Sequence, residues 1–231
     1  PNTAPRPPPL QRPPAGRANQ RVLAKAKAVE PSTWTQHPEH ARRYDVCNGD
    51  ADGLCAVRQW RLHEPAPATL ITGLKREIDL LARVPIEAAG EVLVCDLSMQ
   101  RNRAALERLL AAGVRVRWFD HHAFGTEVPL HAGFDAHLDT SPRACTSLLM
   151  DRHLGGRLRS WALVGAYGDN LGSVADELAL ASGFDATQRT KLRQLGEAIN
   201  YNAYGDSPSD VCIAPRALYA LMARHADPLQ M

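Results

Sequence analysis

Three predicted strands each end in polar residues that can bind metal ions or transfer protons. The strands cover Arg43–Cys47, Glu91–Cys95 and Val114–Phe119, and the residues that follow them are Asp50, Asp52, Asp96, Asp120, His121 and His122. In an open parallel sheet, ligands bind outside the carboxyl ends of the strands. The sequence therefore predicts four acids and two histidines at one edge of a sheet.

This joint pattern indicates a metal site, although each residue alone has a simpler structural explanation. A single Asp between a strand and a helix is often only the helix N-cap. Four carboxylates at one edge raise one another's pKa values, and a divalent cation removes this repulsion. Carboxylates with imidazole suit Mn²⁺, Fe²⁺ or Zn²⁺, and an oxygen-rich set without thiolates favours Mn²⁺. Asp50 and Asp52 are two residues apart, a spacing that can reach two ions about 3.5–4 Å apart.

Asp169 is a further acid, at the end of the apolar segment SWALVGAYGDN. A carboxylate near the negative end of a helix dipole is unfavourable. Either a bound cation compensates for this charge or the helix end is simply solvated, and the spacing alone leaves both interpretations open.

The elements that position these residues alternate between strand and helix. Predicted strands at Arg43–Cys47, Ala68–Thr72, Glu91–Cys95 and Val114–Phe119 are separated by predicted helices at Gly53–His63, Arg76–Arg83 and Arg101–Ala112. Such alternation is typical of right-handed βαβ units. After about residue 142 the pattern predicts helices at 143–154, 159–168, 174–183, 187–200 and 215–225. We therefore predict an α/β fold, a mostly parallel sheet flanked by helices, followed by a helical half.

Composition excludes several classes of protein. The 231 residues are 45% hydrophobic and 23% charged, ordinary values that exclude a collagen, a coiled coil and a wholly disordered chain. The sequence has no uncharged apolar run of about 18 residues, so we expect no membrane span. Five cysteines without a Cys-x-x-Cys pair predict neither a disulfide framework nor a cysteine-rich zinc site. No secretory segment opens the sequence, which favours the cytoplasm.

Charge and proline are concentrated at the start of the chain. Residues 1–43 contain eight Lys or Arg against two Glu, and nine of the 17 prolines. Such a segment cannot bury enough apolar surface to offset its ordering entropy. We predict that residues 1–40 form a disordered, proline-rich basic tail. A solvated extension is the preferred interpretation, and contact with nucleic acid or an acidic partner is the alternative.

Four motifs together resemble those of the DHH phosphoesterase superfamily. They are NGDADG (Asn48–Gly53), VCDLS (Val94–Ser98), DHH (Asp120–His122) and GDN (Gly168–Asn170), in the family's order. The resemblance covers about residues 43–200 and implies the family's N-terminal catalytic domain, which we place at residues 41–190. DHH proteins are Mn²⁺-dependent hydrolases of phosphodiester or phosphoanhydride bonds. They include RecJ-like exonucleases, nano-RNases, cyclic-dinucleotide phosphodiesterases and family II pyrophosphatases.

The resemblance also implies a role for each matched residue. The implied metal ligands are Asp50 for a first ion, Asp52, His121 and Asp169 for a second ion, and Asp96 between the two. Asp120 resembles the acid that fixes a histidine tautomer, and His122 the residue that meets the substrate phosphate. The implied cofactor is two Mn²⁺ ions, with Mg²⁺ as an alternative, and they activate the attacking water.

Two departures from the family pattern stand out. Asn48 occupies the position of a further first-metal ligand, and its amide carbonyl carries no charge. Val46 occupies the position where other members have His. The family also carries a C-terminal substrate-binding domain with a glycine-rich loop, but only 26 residues follow Gly205 and none is glycine. We expect residues 191–231 to be a helical linker or remnant and that domain to be absent.

The first hypothesis is a phosphoesterase that hydrolyses phosphodiester bonds of short oligonucleotides or signalling nucleotides. Pyrophosphate or another phosphoanhydride is the alternative substrate. A non-catalytic nucleotide- or metal-binding module and a truncated DHH protein are the alternative functions. The oligomeric state stays open. Lys75 and Arg76 are interpreted as a helix-start surface in preference to phosphate contacts. The helix start at Thr140–Ser147 fits an ordinary helix cap and a phosphate site equally.

Overall fold

The computed structural model describes residues 42–207 and 209–231, which form one parallel sheet with helices on both faces. The strands of this part of the chain are β1 (Arg42–Cys47), β2 (Thr69–Thr72), β3 (Ala89–Cys95), β4 (Arg115–Asp120) and β5 (Phe134–Leu138). Their order is β2-β1-β3-β4-β5, and each neighbouring pair is parallel. The predicted α/β class is confirmed. The predicted tail, residues 1–40, lies outside the described residues.

The helices of the described residues follow the predicted division into two halves. They are α1 (Ala51–His63), α2 (Met99–Ala111), α3 (Thr146–His153), α4 (Arg159–Gly168), α5 (Gly172–Ala181), α6 (Ala186–Asn202) and α7 (Pro215–Met222). Their ends differ from the predicted ends by a few residues. Gly113 follows α2 with a φ of 79°, the left-handed conformation that ends many helices.

Two apolar cores cover the two faces of the sheet. Alternate residues of a strand point to opposite faces, so Val46 and Val94 lie in one core with α2, whereas Cys47 and Cys95 lie in the other with α1, α3 and α4. Strands covered on both faces read as continuous apolar runs. This is why β3 could be predicted from VLVC.

The register of the sheet aligns the ends of its central strands. Cys47 of β1 is opposite Cys95 of β3, and Cys95 is opposite Phe119 of β4. The strand order reverses between β1 and β3, because β2 lies on one side of β1 and β3 on the other. In doubly wound sheets the ligand crevice opens at such a switch point. The residues that follow Cys47 and Cys95 therefore meet at this crevice.

One prediction about elements was wrong, and one strand was missed. The segment predicted as a helix over Arg76–Arg83 is a turn followed by a 3₁₀ helix at Leu80–Arg83. The side chain of Asn102 bonds this backbone instead, since it accepts from Leu81 N–H and donates to the carbonyl of Ile78. The strand β5 was not predicted, and it pairs with β4 without an intervening helix.

The last helices pack onto the rest of the fold. The Trp161 indole donates to the carbonyl of Ala226, and the Arg58 guanidinium donates to the carbonyl of His225. The predicted boundary between residues 190 and 191 falls inside α6, and the division into domains stays a prediction. Among the described residues, no helix has the length and apolar character needed to cross a membrane.

Candidate metal centre

A cavity of about 310 Å³ opens at the carboxyl edge of the sheet. Its lining includes both acids and bases: Asn48, Asp50, Lys75, Asp96, Arg101, His121, His122 and Asp169. The structure thus brings together residues from the loops after β1, β2, β3 and β4 and from the end of α4. Asp52 lies beneath this surface, with a side chain only 1% exposed.

Asp52 is held by the N-terminus of α3. Its two carboxylate oxygens accept the backbone N–H groups of Thr146 and Ser147, both at 2.7 Å. These N–H groups have no partner within the helix, and the positive end of the helix dipole favours a carboxylate. The N-terminus of α3 therefore binds an acid of the protein itself, an arrangement that the sequence around Thr140–Ser147 does not predict.

Gly165 keeps the space that this arrangement needs. A Cβ atom at Gly165 would lie 2.1 Å from Ser147 Oγ and 3.3 Å from Asp52 Oδ1. The Ser147 hydroxyl donates to the backbone carbonyl of Asp52 at 2.8 Å. A side chain at position 165 would displace Ser147 and with it the N–H groups that orient Asp52.

Asp96 has an unfavourable backbone conformation and an unfavourable charge environment. Its φ is 59°, in the left-handed region that non-glycine residues seldom adopt. The side chain is 3% exposed, and burial together with the charges of Asp50 and Asp52 raises its pKa well above the ordinary value. Thr146 Oγ donates to Asp96 Oδ1 at 3.3 Å. Strain and burial together indicate that position 96 is held for its carboxylate.

His121 lies at the centre of the acids. Its Nε2 is 3.4 Å from Asp96 Oδ1, 3.7 Å from Asp169 Oδ2 and 3.9 Å from Asp52 Oδ2. Burial lowers the pKa of His121, but the hydrogen bond with Asp96 and the surrounding carboxylates raise it to about 10. Burial and the charge of Asp52 raise the pKa of Asp169 to about 7. The metal-free cluster therefore retains protons at positions where a bound cation would also be favourable.

The donor set fits a divalent cation. Ligand atoms of Asp52, Cys145 and Asp169 lie within 4.8 Å of one another, as do those of Asp96, His121 and His122. Burial raises the pKa of the Cys145 thiol well above its usual range, so a thiolate is disfavoured in the metal-free protein. The remaining carboxylates and imidazole suit a hard or intermediate metal such as Mn²⁺.

Asp50 and Asn48 differ from this set, because Asp50 is paired with a cation of the protein and the Asn48 amide carries no charge. Asp50 Oδ1 accepts Gly53 N–H at 3.2 Å as the N-cap of α1, and Asp50 Oδ2 is 2.7 Å from Lys75 Nζ. Asn48 Nδ2 donates to the backbone carbonyl of Lys75, while its Oδ1 is buried without a hydrogen-bond partner in the described structure. Only this amide oxygen of Asn48 is open to a ligand.

His122 and Asp120 form a pair at the edge of the cavity. His122 Nδ1 is 2.7 Å from Asp120 Oδ1, and the side chain of Asp120 is fully buried. This hydrogen bond raises the pKa of His122, against the effect of burial. A carboxylate on one ring nitrogen fixes the tautomer. It leaves Nε2 to exchange a proton with a ligand in the cavity.

Sequence reasoning missed or undervalued two basic residues. The sequence favours a surface position for Lys75, but the loop after β2 carries it to Asp50. Arg101 lines the cavity from the first turn of α2. A cation in the first turn of a helix is unfavourable for the dipole, and this signal was available in the sequence.

Comparisons with known proteins agree with this arrangement at the level of the fold. No protein-family model and no curated protein matches the chain. Among solved structures, the DHH domain of a member of the S1P family of ribosomal proteins is similar over 71% of this chain and 48% of its own, with 16% identity and a TM-score of 0.50. At this identity the similarity shows the fold alone. The fold of this chain is similar to that of this DHH domain.

Two exonuclease structures show weaker similarity. The exonuclease RecJ bound to manganese is 21% identical, with a TM-score of 0.48 over 80% of this chain. RecJ from Thermus thermophilus in complex with Mn²⁺ is 20% identical, with a TM-score of 0.43 over 80% of this chain. The chain spans 61% and 35% of the length of these two proteins.

Proposed function

We propose that the protein is a Mn²⁺-dependent phosphoesterase that hydrolyses phosphodiester bonds of short oligonucleotides or signalling nucleotides. The observation that carries this proposal is the position of His121 Nε2, 3.4–3.9 Å from carboxylates of Asp52, Asp96 and Asp169. These four residues would hold the metal. When bound, a divalent cation supplies Lewis acidity and lowers the pKa of water to near neutrality.

The basic side chains of the cavity support a phosphate-containing substrate. Lys75, Arg101 and His122 lie in the same lining as the acids. Lys and Arg donate charge-assisted hydrogen bonds to phosphate oxygens. Because these basic side chains lie beside the acids, the site can bind an anionic phosphate next to a metal cation, as hydrolysis of a phosphate ester requires. A cavity of about 310 Å³ is at the lower end of the usual range for small-molecule sites.

The pair of His122 and Asp120 supplies an oriented proton donor. Asp120 fixes His122 through Nδ1, so Nε2–H is the donor available to a non-bridging phosphate oxygen. Donors placed in advance where negative charge develops stabilise the transition state without reorganisation. In this proposal His122 contacts the substrate and Asp120 positions it.

The test is hydrolysis with Mn²⁺ of a dinucleotide, a cyclic dinucleotide, phosphoadenosine phosphate, pyrophosphate and a single-stranded oligonucleotide. We expect turnover of a phosphodiester that is lost with EDTA and falls about 1000-fold in Asp96→Asn, because the metal contributes several kcal/mol to catalysis. Asp206→Asn is the matched control, since Asp206 is exposed and pairs with Arg76. It should retain full activity.

Two other outcomes have a defined meaning. If pyrophosphate is the only compound hydrolysed, the substrate is a phosphoanhydride and not a phosphodiester. Mn²⁺ binding without turnover of any substrate would contradict the enzyme and support a binding module. Full activity of Asp96→Asn would contradict the assignment of the metal ligands.

A further inference from the structure

Lys75 is fixed in the cavity by its backbone as well as by its side chain. Its N–H donates to the carbonyl of Ala203 at 3.2 Å, and its own carbonyl accepts from Asn48 Nδ2 at 3.1 Å. One contact comes from the chain after α6 and the other from the loop after β1. The position of Lys75 is therefore set by two elements that are distant in sequence.

The Lys75 ammonium is held against Asp50. Lys75 Nζ is 2.7 Å from Asp50 Oδ2 and 2.9 Å from Asn200 Oδ1, and it lies 5.0 Å from the centroid of the Tyr204 ring. The carboxylate, the amide oxygen and the ring face all attract a cation. An ammonium has three N–H donors. The two hydrogen bonds use two of them, and Lys75 also lines the cavity.

Both oxygens of Asp50 already accept a hydrogen bond, and one of these bonds comes from a cation. Oδ1 accepts from Gly53 N–H and Oδ2 from Lys75. A divalent cation on Asp50 would also lie beside the ammonium, where like charges repel. Asn48, the neighbouring residue that could assist, contributes only an uncharged amide oxygen.

The balance of charge leads to the same conclusion. Asp50, Asp52, Asp96 and Asp169 carry four negative charges when ionised, and the ammonium neutralises one of them. Arg101 in the same lining neutralises another, so one divalent cation brings these groups to zero net charge and a second cation would make them positive. Asp52, Asp96, His121 and Asp169 provide a full ligand set for one ion without Asp50.

We propose that the Lys75 ammonium takes the place of a second metal ion, so that the chain binds one divalent cation and offers Lys75 to the substrate phosphate beside it. This inference rests on the proposed function for its substrate, but its claim about the number of ions stands on the contacts of Asp50. A lysine in this position neutralises charge on a phosphate oxygen as a second cation would.

The experiment counts bound Mn²⁺ by equilibrium dialysis and follows the spin coupling of the ions by electron paramagnetic resonance. We expect the wild-type chain to bind one Mn²⁺ without coupling. Lys75→Met keeps the length of the side chain and removes its charge, so it should bind two coupled ions. Lys75→Arg keeps the charge and should bind one.

Arg76→Met is the matched control for loss of a positive charge. Arg76 is the next residue, and its side chain is 77% exposed, so this variant should bind one ion. Circular dichroism and the thermal midpoint establish that each variant is folded. The wild-type count requires no variant and tests the inference even if Lys75→Met does not fold.

The possible results separate this inference from the proposed function. Two coupled ions in the wild type would overturn the role of Lys75 and leave the phosphoesterase proposal intact. One ion in both the wild type and folded Lys75→Met would show that Lys75 is not what excludes the second ion. No bound ion in the wild type would overturn the metal-dependent function itself.

Discussion

The carboxyl edge of the sheet and the outer strand β5 hold their acids in opposite electrostatic states. On β5, burial raises the pKa of Asp135, but His137 and Arg117 lower it to about 2. At the carboxyl edge, burial and the charge of Asp52 raise the pKa of Asp169 to about 7. Asp135 has cationic partners that outweigh its burial, whereas burial and the carboxylates of Asp52 and Asp50 outweigh the cations beside Asp169. The difference indicates that Asp135 serves the fold and that Asp169 is suited to an external cation.

The largest effect is expected on Mn²⁺ affinity, which tests the comparison between Asp169 and Asp135. Asp169→Asn should weaken Mn²⁺ binding about 100-fold, because loss of a charged ligand costs at least as much as loss of an outer partner. Asp135→Asn should leave the affinity unchanged. Isothermal titration calorimetry measures both. Equal losses in the two variants would show that the comparison is wrong.

A second test replaces Asp52, whose carboxylate accepts hydrogen bonds from the N-terminus of α3. Asp52→Ala should lower the free energy of unfolding of the metal-free protein by about 2 kcal/mol, because two buried N–H groups lose their acceptor. Asp52→Asn keeps an acceptor oxygen and should lose less. Urea denaturation in EDTA measures both variants. An unchanged stability in Asp52→Ala would mean that relief of repulsion among the acids equals the loss of these bonds.

The third test is the pH dependence of the metal-free protein. The folded pKa of Asp169, about 7, lies above the unfolded value of about 3.9. Its stabilising contribution is therefore complete below the unfolded pKa and is lost as pH rises through 7. The difference in unfolding free energy between wild type and Asp169→Asn should fall with rising pH, by at most about 1.4 kcal/mol per unit. A difference that rises with pH would contradict the raised pKa.

The smallest expected effect is at Asp135. Its side chain is 32% exposed and contacts Arg117 at 2.9 Å, so solvent screening limits the pair to about 1 kcal/mol. Because the folded pKa is lowered, this contribution is present above about pH 3.9 and is lost as pH falls through 2. Thermal denaturation of Asp135→Asn at neutral pH measures it. Full stability of this variant would show that the pair contributes nothing.

The part of the fold that could be predicted depends on local patterns. Alternating apolar strands and helices between residues 43 and 119 are visible in the sequence, and so is the helical half after residue 142. β5 was missed although FDAHL alternates apolar and polar residues as a half-buried strand does, because no predicted helix precedes it as in a βαβ unit. The helix predicted over Arg76–Arg83 was wrong because Asn102, a distant residue, bonds that backbone.

The candidate site also has a part that could be predicted from the sequence and a part that could not. The acids and histidines could be placed at one edge because they directly follow strands whose ends align. The surroundings of Lys75 could not be predicted, because its partners Asp50 and Asn200 lie 25 and 125 residues away along the chain. The sequence shows which residues follow the end of a strand, but it does not show which charged side chains the tertiary structure brings next to them.

The left-handed backbone of Asp96, with a φ of 59°, separates stability from activity at this position. Glycine adopts this conformation without steric cost and carries no charge to repel its neighbours. A metal-free chain with glycine at position 96 should therefore unfold at a higher temperature than the wild type, although it would lack a ligand. The most stable residue at position 96 is not the most useful one, and selection for folding alone would remove this aspartate.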